Sequence, residues 1–336
     1  MDKTKRKFCS KGIYEMVISV IIPTYNRSRF IELTLESFVR QNFDAGNFEI
    51  IVADNNSTDN TTEVVSRFIE NNKTHSIRYF LERRQGVHFA RNSAAKIATG
   101  DFLYFTDDDM IADPALLTEL LDVFTLDKKI ASSTGLVLPK WESEPLPGFG
   151  ILQQCLLSLN NPDYESDCFG KDCNVFSCHQ MIRREVFFQT GGFNPENTKG
   201  VWIGDGETGL NIKIREKGYK FAFTRKSVIQ HIIPASRTTQ SYLNKRLTNQ
   251  GNCDMYTYYR AVQPSAVQMG GRMFTSLLKI AYSFVKCLFN LILWKNTWRL
   301  NMAGCYYHVA GIKYLAKLIS DSSWRALVLK NNWINE

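Results

Sequence analysis

The chain has 336 residues, of which 44% are apolar and 22% are charged. This composition supplies a sizeable core and excludes a disordered or fibrous protein. The formal net charge of +8 favours an anionic partner, such as a membrane surface or a phosphorylated substrate. A nucleic-acid partner is not expected, because the basic residues are dispersed and accompany no nucleic-acid-binding motif.

The N-terminal segment, residues 1–16, is a basic tail without the features of a secretory signal. Only a short, largely apolar run follows it before Pro23, which is too short for the apolar region of such a signal. The eight cysteines include no CxxC pair, as is typical of a reduced cytosolic protein. We therefore expect a cytoplasmic protein.

Strands and helices alternate along the first third of the chain. Apolar runs predict strands at 17–22, 48–53, 77–81 and 102–106. Apolar residues at helical spacing predict a helix around 31–38, and the segments 61–71, which is polar, and 87–99 are also predicted to be helices. Strands that are apolar on both faces and joined by helices predict an α/β fold with a mostly parallel sheet covered on both sides.

The second part of the chain is less regular. Pro and Gly concentrate in 139–150, and 160–177 is polar, so both segments are predicted to be loops near a substrate. A helix is expected after Arg183, another at 208–217, and short strands around Phe221 and Val228.

Three consecutive carboxylates, Asp107, Asp108 and Asp109, end the strand 102–106. Side chains two apart on an extended segment project to the same side, so Asp107 and Asp109 can face one cation. Mg²⁺ or Mn²⁺ would relieve the mutual repulsion of the carboxylates and would keep positions open for phosphate oxygens. The alternative is a solvated acidic turn ahead of a helix that starts at Asp113-Pro114.

Asp54 also ends a predicted strand, and the segment Thr24 to Arg27 leaves the first strand at the same edge. Ligands of open α/β sheets bind outside the carboxyl ends of the strands, so these groups are expected to converge. Asp54 would accept hydrogen bonds from a nucleobase or ribose. Its alternative role is an Asx turn, which is common in such Asn/Ser/Thr-rich sequence.

The segments VISVIIPTYNR, VADNNSTD and RRQGVHFARNSAAKIATGDFLYFTDDD together resemble the family 2 glycosyltransferases of the GT-A fold. The resemblance spans about 17–234 and implies a nucleotide-sugar donor, expected to be a UDP-sugar, held with Mn²⁺ or Mg²⁺. The residues implied for the donor are Thr24, Tyr25, Arg27, Asp54, Arg91, Asp108 and Arg237, and those for the metal are Asp107, Asp109 and His231. As a lone histidine between apolar residues, His231 can equally be a core residue.

A second block, RREVFFQTGGFNPENTKGVWIGDGETGLNIKIREKGY, resembles the acceptor side of that family. The usual Glu-Asp pair falls on Gly206-Glu207, which departs from the pattern. Glu207 is therefore ranked first as the catalytic base and Asp205 second. Gly204, Gly206 and Gly209 also form a literal GxGxxG, but the two carboxylates inside it argue against dinucleotide binding.

Three cysteines and a histidine lie close together in the sequence, at Cys168, Cys173, Cys178 and His179. Their spacing does not match the common zinc-binding patterns. We expect His179 to face the acceptor instead.

The most apolar stretch of the chain is 273–294, within a C-terminal region, 241–336, that is predicted to be helical. Its polar residues follow steps of three and four, which predicts one helix with a narrow polar stripe formed by Ser276, Lys279, Ser283, Lys286 and Asn290. Such a helix suits the plane of a membrane interface, with packing on the catalytic part as the alternative.

The sequence thus predicts a catalytic domain, 17–240, with a nucleotide-sugar half at 17–110 and an acceptor half at 111–240. The expected reaction is inverting sugar transfer to a glycan or lipid-linked hydroxyl at the cytoplasmic face of the membrane. The alternatives are a nucleotidyltransferase, for which PTYNRSR is a poor triphosphate loop, and a non-catalytic nucleotide-sugar-binding module.

Overall fold

The structure is a computed structural model. It describes residues 17–145, 156–162, 168–170, 173, 175–198 and 201–334. The predicted basic tail and parts of the two predicted loops lie outside these residues.

The first part of the fold alternates strands and helices as the sequence predicts. Its elements are β1 (Ile18–Thr24), α1 (Ile31–Val39), β2 (Phe48–Asp54), α2 (Thr61–Asn71), β3 (Ser76–Leu81), α3 (Val87–Ile97), β4 (Phe102–Thr106), β5 (Met110–Ala112) and α4 (Leu116–Asp122). The elements that follow are β6 (Ile130–Trp141), β7 (Cys168–Gly170), β8 (His179–Arg183), α5 (Arg184–Gln189), β9 (Asn197–Thr198), β10 (Val201–Trp202), α6 (Glu207–Glu216) and β11 (Lys220–Ile233).

The central sheet is mixed, and within the described residues its order is β3-β2-β1-β4-β8-β6-β11-β5, with β7 beside β11. The pairs among β1 to β4 are parallel, and β8 enters antiparallel to both β4 and β6. Alternate residues of β1 enter separate apolar clusters, Val20 on one face and Ile21 on the other. Burial on both faces explains why these strands read as continuous apolar runs.

Two predicted boundaries differ from the structure. The sequence predicts short strands around Phe221 and Val228, but β11 is one strand whose register shifts between Thr224 and Val228. The polar residues at this bulge interrupt the apolar pattern without ending the strand. The predicted loop at 139–150 begins later than expected, because β6 continues to Trp141.

The described chain beyond Thr239 is helical. Its elements are α7 (Gln240–Val262), α8 (Ala266–Ile292), α9 (Trp298–Ser320) and α10 (Ser322–Val328). Helix α9 packs between α7 and α8. Helix α7 in turn contacts the loop ahead of α6, where the Thr257 hydroxyl donates to Asp205 at 2.8 Å.

Gly251 sets the close approach of α7 to α9. A Cβ atom at this position would lie 2.2 Å from the Tyr307 carbonyl oxygen, which is fixed backbone. We expect Gly251→Ala to lower the free energy of unfolding by about 1–3 kcal/mol in urea titrations. The matched control is Gly271→Ala in α8, where a Cβ meets nothing within 4 Å and should stabilise the helix by roughly 0.5–1 kcal/mol. Equal changes in the free energy of unfolding for Gly251→Ala and Gly271→Ala would contradict the close approach of α7 to α9.

Candidate active site

A cavity of about 540 Å³ opens at the carboxyl ends of β1, β2 and β4. This volume is typical of small-molecule sites. Its lining includes the predicted residues Thr24, Tyr25, Arg27, Asp107, Asp108, Asp109 and Arg237, together with Asn55, Lys245 and the N-terminus of α3 at Gly86 and Val87. A helix N-terminus and three basic side chains suit a phosphate-bearing ligand.

Asp108 is buried and held by β1 and the segment after it. Its Oδ2 accepts a 2.7 Å hydrogen bond from the Thr24 hydroxyl, and Arg27 Nε lies 3.8 Å from Oδ1. Burial, and then the neighbouring charge of Asp109, raise the pKa of Asp108 to about 8. Asp108 therefore loses its proton less readily than an ordinary aspartate, because it is buried beside the charged Asp109.

Asp109 lies beside His231 because β5 pairs antiparallel with β11, with His231 opposite Met110. Its carboxylate is 2.9 Å from Arg237 and 3.6 Å from His231 Nε2. Burial opposes ionisation of Asp109, but the hydrogen bond and charge of His231, together with Arg237, hold its pKa below the usual value.

The orientation of His231 suits a metal ligand. Its Nδ1 donates to the Leu157 carbonyl at 2.8 Å, and its Nε2 lies 3.6 Å from Asp109 and 2.7 Å from an Arg237 guanidinium nitrogen. A protonated Nε2 faces the Asp109 carboxylate as a donor, and in the neutral imidazole the Nε2 lone pair is available to a metal. Protein carbonyls commonly orient metal-binding histidines in this way. Carboxylate oxygens with one imidazole nitrogen form a donor set that fits Mn²⁺ or Mg²⁺, and a cation would relieve the repulsion between Asp108 and Asp109.

Arg91 links the acidic run to the predicted base. Its guanidinium is buried, pairs with Asp107 and donates a 2.8 Å hydrogen bond to the Ser177 hydroxyl. Ser177 in turn donates to Glu207 Oε2. A continuous series of hydrogen bonds thus joins the predicted metal ligand Asp107 to Glu207.

Glu207 begins α6 and shares a polar cluster with His88 and Glu196, in which one ligand atom of each lies within 4.8 Å of the others. Gly206 allows this close approach, since a Cβ there would lie 2.4 Å from His88 Nε2. Burial, and then the charge of Glu196, raise the pKa of Glu207. Among the described residues, this is the one cluster of at least three His, Cys, Asp or Glu side chains whose ligand atoms all lie within 4.8 Å of one another, a spacing that Asp107, Asp109 and His231 do not meet in this structure.

His88, Ser177 and Glu196 belong to the site but were not predicted from the sequence. His88 lies three residues before Arg91 on α3, so helical spacing could have placed it near that arginine. Glu196 and Ser177 lie outside helices and strands, and no periodicity marks them.

Asp205, the second predicted base, lies in a different environment. Its Oδ1 accepts from Asn194 at 2.8 Å and its Oδ2 from Thr257 at 2.8 Å, so hydrogen bonds hold both oxygens. The residue is buried, whereas Glu207 is partly exposed, although neither of them is among the residues that line the cavity. These contacts favour a role for Asp205 in fixing the loop ahead of Glu207.

Asp54 is also buried and next to the cavity lining rather than in it. Its carboxylate accepts hydrogen bonds from the Ser57 amide, the Thr62 hydroxyl and the Tyr79 hydroxyl. These contacts resemble the Asx-turn alternative, although the neighbouring Asn55 faces the cavity. Tyr25 is exposed at the mouth of the cavity.

His179 does not face the cavity, so that expectation was wrong. It is fully buried, with Nδ1 2.8 Å from the Tyr104 hydroxyl and Nε2 3.3 Å from Ser227. Burial lowers its pKa to about 3, which makes it a neutral core histidine. Of the cysteines considered as zinc ligands, Cys178 contacts the Ser158 carbonyl. The Cys168 side chain lies outside the described residues.

Comparisons with known proteins agree with the fold. A family model described as glycosyl transferase family 2 matches residues 19–189, half of the chain. A validoxylamine A glucosyltransferase from Streptomyces hygroscopicus is 35% identical over 107 residues, which are 31% of this chain and 25% of that protein. The matched region therefore spans about a quarter of that relative.

Two further relatives act on lipid-linked acceptors, according to their names. A Campylobacter jejuni GalNAc(5)-diNAcBac-PP-undecaprenol beta-1,3-glucosyltransferase is 39% identical over 27% of this chain and 29% of its own. A Haloferax volcanii glucosyl-dolichyl phosphate glucuronosyltransferase is 22% identical over 70% of this chain and 75% of its own.

A solved structure shares the fold across most of the chain. The mannosyltransferase PcManGT from Pyrobaculum calidifontis, in complex with GDP-Man and Mn²⁺, aligns with a TM-score of 0.60 at 17% identity. The alignment covers 91% of this chain and 87% of that one. The fold is therefore GT-A.

Proposed function

Because this chain belongs to glycosyltransferase family 2, we propose that it moves a sugar from a nucleoside-diphosphate sugar to a hydroxyl group with inversion at the anomeric carbon. The observation that supports this most strongly is the cavity, which gathers Asp107 to Asp109 with Arg27, Arg237 and Lys245 at the carboxyl ends of the strands. Both a metal and a diphosphate can be held where these charges meet.

In this proposal Asp107, Asp109 and His231 hold Mn²⁺ or Mg²⁺, which when bound neutralises charge on the diphosphate. Thr24, Tyr25, Asp54 and Arg27 lie at or beside the nucleoside end, and Asp108 contacts the ribose or sugar. Arg237 and Lys245 offset the charge that develops on the leaving nucleoside diphosphate. Arg91 keeps Asp107 in place through its ion pair.

Glu207 acts as the base. It takes the proton of the acceptor hydroxyl while that oxygen forms a bond to the anomeric carbon. The bond from the anomeric carbon to the phosphate oxygen breaks, and the nucleoside diphosphate leaves with the electron pair. Ser177 fixes the carboxylate through its hydrogen bond.

The acceptor is proposed to be a glycan or a lipid-linked hydroxyl. Two relatives have lipid-linked acceptors in their names, and the segment 273–294 offers a peripheral membrane contact. The protein would then work at the cytoplasmic face of a membrane.

Incubation with a panel of UDP-, GDP- and TDP-sugars and Mn²⁺ tests the proposal. We expect one donor class to be hydrolysed slowly or transferred, as measured by release of the nucleoside diphosphate. Release of pyrophosphate from nucleoside triphosphates would support a nucleotidyltransferase instead. No release from any donor would support the non-catalytic module.

The charge of Glu196 contributes to the raised pKa of Glu207, and so to the pH range in which Glu207 is ionised. Because burial and Glu196 raise the pKa of Glu207, Glu196→Gln should lower that pKa. The acidic limb of the kcat profile should then move to lower pH, since a base works when it is ionised. Glu185→Gln, at an exposed position of α5, should leave the profile unchanged. If the acidic limb of Glu196→Gln stayed in place or moved to higher pH, the charge of Glu196 would not act on Glu207.

A further inference from the structure

One side of helix α8 is buried or half-buried against the protein. That side follows the steps Met269, Met273, Ser276, Ile280, Ser283, Cys287 and Asn290, and it mixes small and polar side chains with larger apolar ones. Ser283 lies close to Gly304, and the Cys305 thiol reaches the Ile280 carbonyl at 3.7 Å. The predicted polar stripe therefore partly faces the protein, since Ser276 and Ser283 are half-buried, Asn290 is buried and Ser283 lies beside Gly304 of α9.

The opposite face of α8 is a continuous apolar stripe, which we call the outward stripe. It consists of Phe274, Leu278, Tyr282, Val285, Phe289 and Ile292, each exposed. Trp294 follows at the end of the helix and is 94% exposed. By length and composition, α8 is the one described helix that could cross a membrane, and only 11% of its most apolar window is buried.

This arrangement is the reverse of that in a water-soluble protein. Surface helices normally direct their apolar side chains to the core and their polar ones outward. In membranes, small and polar residues join helices while large apolar side chains face lipid. The α8–α9 contact follows the second pattern, because Gly304, Ser283 and Cys305 lie at the contact and the outward stripe does not.

The charges around α8 indicate which kind of surface the outward stripe contacts. Residues 255–320 contain eight Lys or Arg residues and no Asp or Glu. Lys279 and Lys286 are exposed within α8 itself, and Arg272 and Lys295 lie near its two ends. A region without acidic side chains complements negatively charged lipid headgroups.

We propose that the outward stripe inserts into an anionic lipid bilayer with α8 lying in the plane of the interface. The in-plane orientation follows from Lys279 and Lys286, which a spanning helix would place in the hydrocarbon interior at high cost. In the plane, both lysine side chains can extend to the headgroups. This deepens the proposed function by naming the surface at which a lipid-linked acceptor is met.

The bilayer contact is connected to the acceptor side of the site. Helix α9 packs on α8, and its Tyr314 hydroxyl donates to the Ile203 carbonyl in the loop ahead of α6. Helix α7 holds Asp205 of the same loop through Thr257. The loop that precedes Glu207 is therefore held by α7 and α9, and α9 packs on the helix that carries the outward stripe.

Co-sedimentation of the full chain with vesicles tests the proposal. The two probes are vesicles of phosphatidylcholine alone and of phosphatidylcholine with phosphatidylglycerol. We expect strong binding to the anionic vesicles, weakened by salt, and release from them by alkaline carbonate. Trp294 fluorescence should be quenched by brominated lipid, and Trp294→Phe should remove that part of the quenching.

Two kinds of variant separate the apolar and electrostatic contributions. Leu278→Gln and Phe289→Gln should each weaken binding roughly tenfold or more. Lys279→Gln and Lys286→Gln should each weaken it about fivefold, and only on anionic vesicles. Leu126→Gln and Lys73→Gln, at exposed positions outside the C-terminal helices, are the matched controls and should bind as the parent does.

Other outcomes would overturn the proposal. Equal binding to neutral and anionic vesicles would exclude the electrostatic contribution, and retention in carbonate would show a spanning helix. A dimer that the stripe variants dissociate, without vesicle binding, would assign the stripe to a second copy of the chain. Donor binding in detergent-free solution is measured in parallel, so failure of the membrane contact is distinguished from failure of the proposed reaction.

Discussion

Glu207→Gln is expected to reduce sugar transfer by roughly 10²–10⁴-fold while leaving donor binding intact. Glutamine keeps the shape of the side chain and can still accept from Ser177, but it cannot take the acceptor proton. The loss should appear in kcat, with the donor dissociation constant unchanged. Transfer rates in single-turnover assays and calorimetric titration of the donor measure the two quantities separately.

Two matched variants sharpen this result. Glu216→Gln removes a carboxylate at the end of the same helix and should leave kcat unchanged. Asp205→Asn should reduce thermal stability, because Asn194 and Thr257 donate to its two oxygens, but should change kcat less than Glu207→Gln does. A larger loss of kcat in Asp205→Asn than in Glu207→Gln would transfer the role of base to Asp205.

Asp109→Asn is expected to remove metal-dependent turnover, lowering kcat/KM by roughly 10³-fold. The Asp109 carboxylate contacts both Arg237 and His231, so the substitution also leaves these two side chains without that carboxylate partner. Because this variant is expected to lose stability as well, Asp107→Asn serves as the second test. The Asp107 side chain is 34% exposed, and asparagine keeps an oxygen that can accept from Arg91, so Asp107→Asn should weaken the Mn²⁺ dependence with a smaller loss of unfolding temperature than Asp109→Asn.

The control for both substitutions is Asp101→Asn, at an exposed position just before β4. It should retain the Mn²⁺ concentration dependence of the parent. Turnover of Asp107→Asn and Asp109→Asn that responds to Mn²⁺ as the parent does would exclude these carboxylates as metal ligands.

Much of the fold follows from local sequence patterns. The strands from β1 to β4 are buried on both faces, so their apolar runs are unbroken and their position is readable from composition alone. The acidic run was placed at a cavity by the rule that ligands bind at the carboxyl ends of strands. Its contact with His231 was implied by the family resemblance but not by any local pattern, because it depends on the antiparallel pairing of β5 with β11.

Other features depend on tertiary contacts that no local pattern records. Glu196 meets Glu207 only because Gly206 brings the backbone close to both Glu196 and His88. His179 has a sequence context suited to a site, yet Tyr104 and Ser227 hold it in the core. The helix at 273–294 was predicted with its polar stripe, but the direction of that stripe was set by α9, which the sequence did not place.

We propose above all that the acidic run binds a nucleoside diphosphate through a divalent metal. Calorimetric titration of UDP and GDP into the protein, with Mn²⁺ and then with EDTA, tests it most directly. We expect binding of one nucleotide with Mn²⁺, its loss in EDTA, and its loss in Asp107→Asn. Equal affinity with Mn²⁺ and with EDTA, or no binding of either nucleotide, would contradict the assignment of this cavity as a metal-dependent donor site.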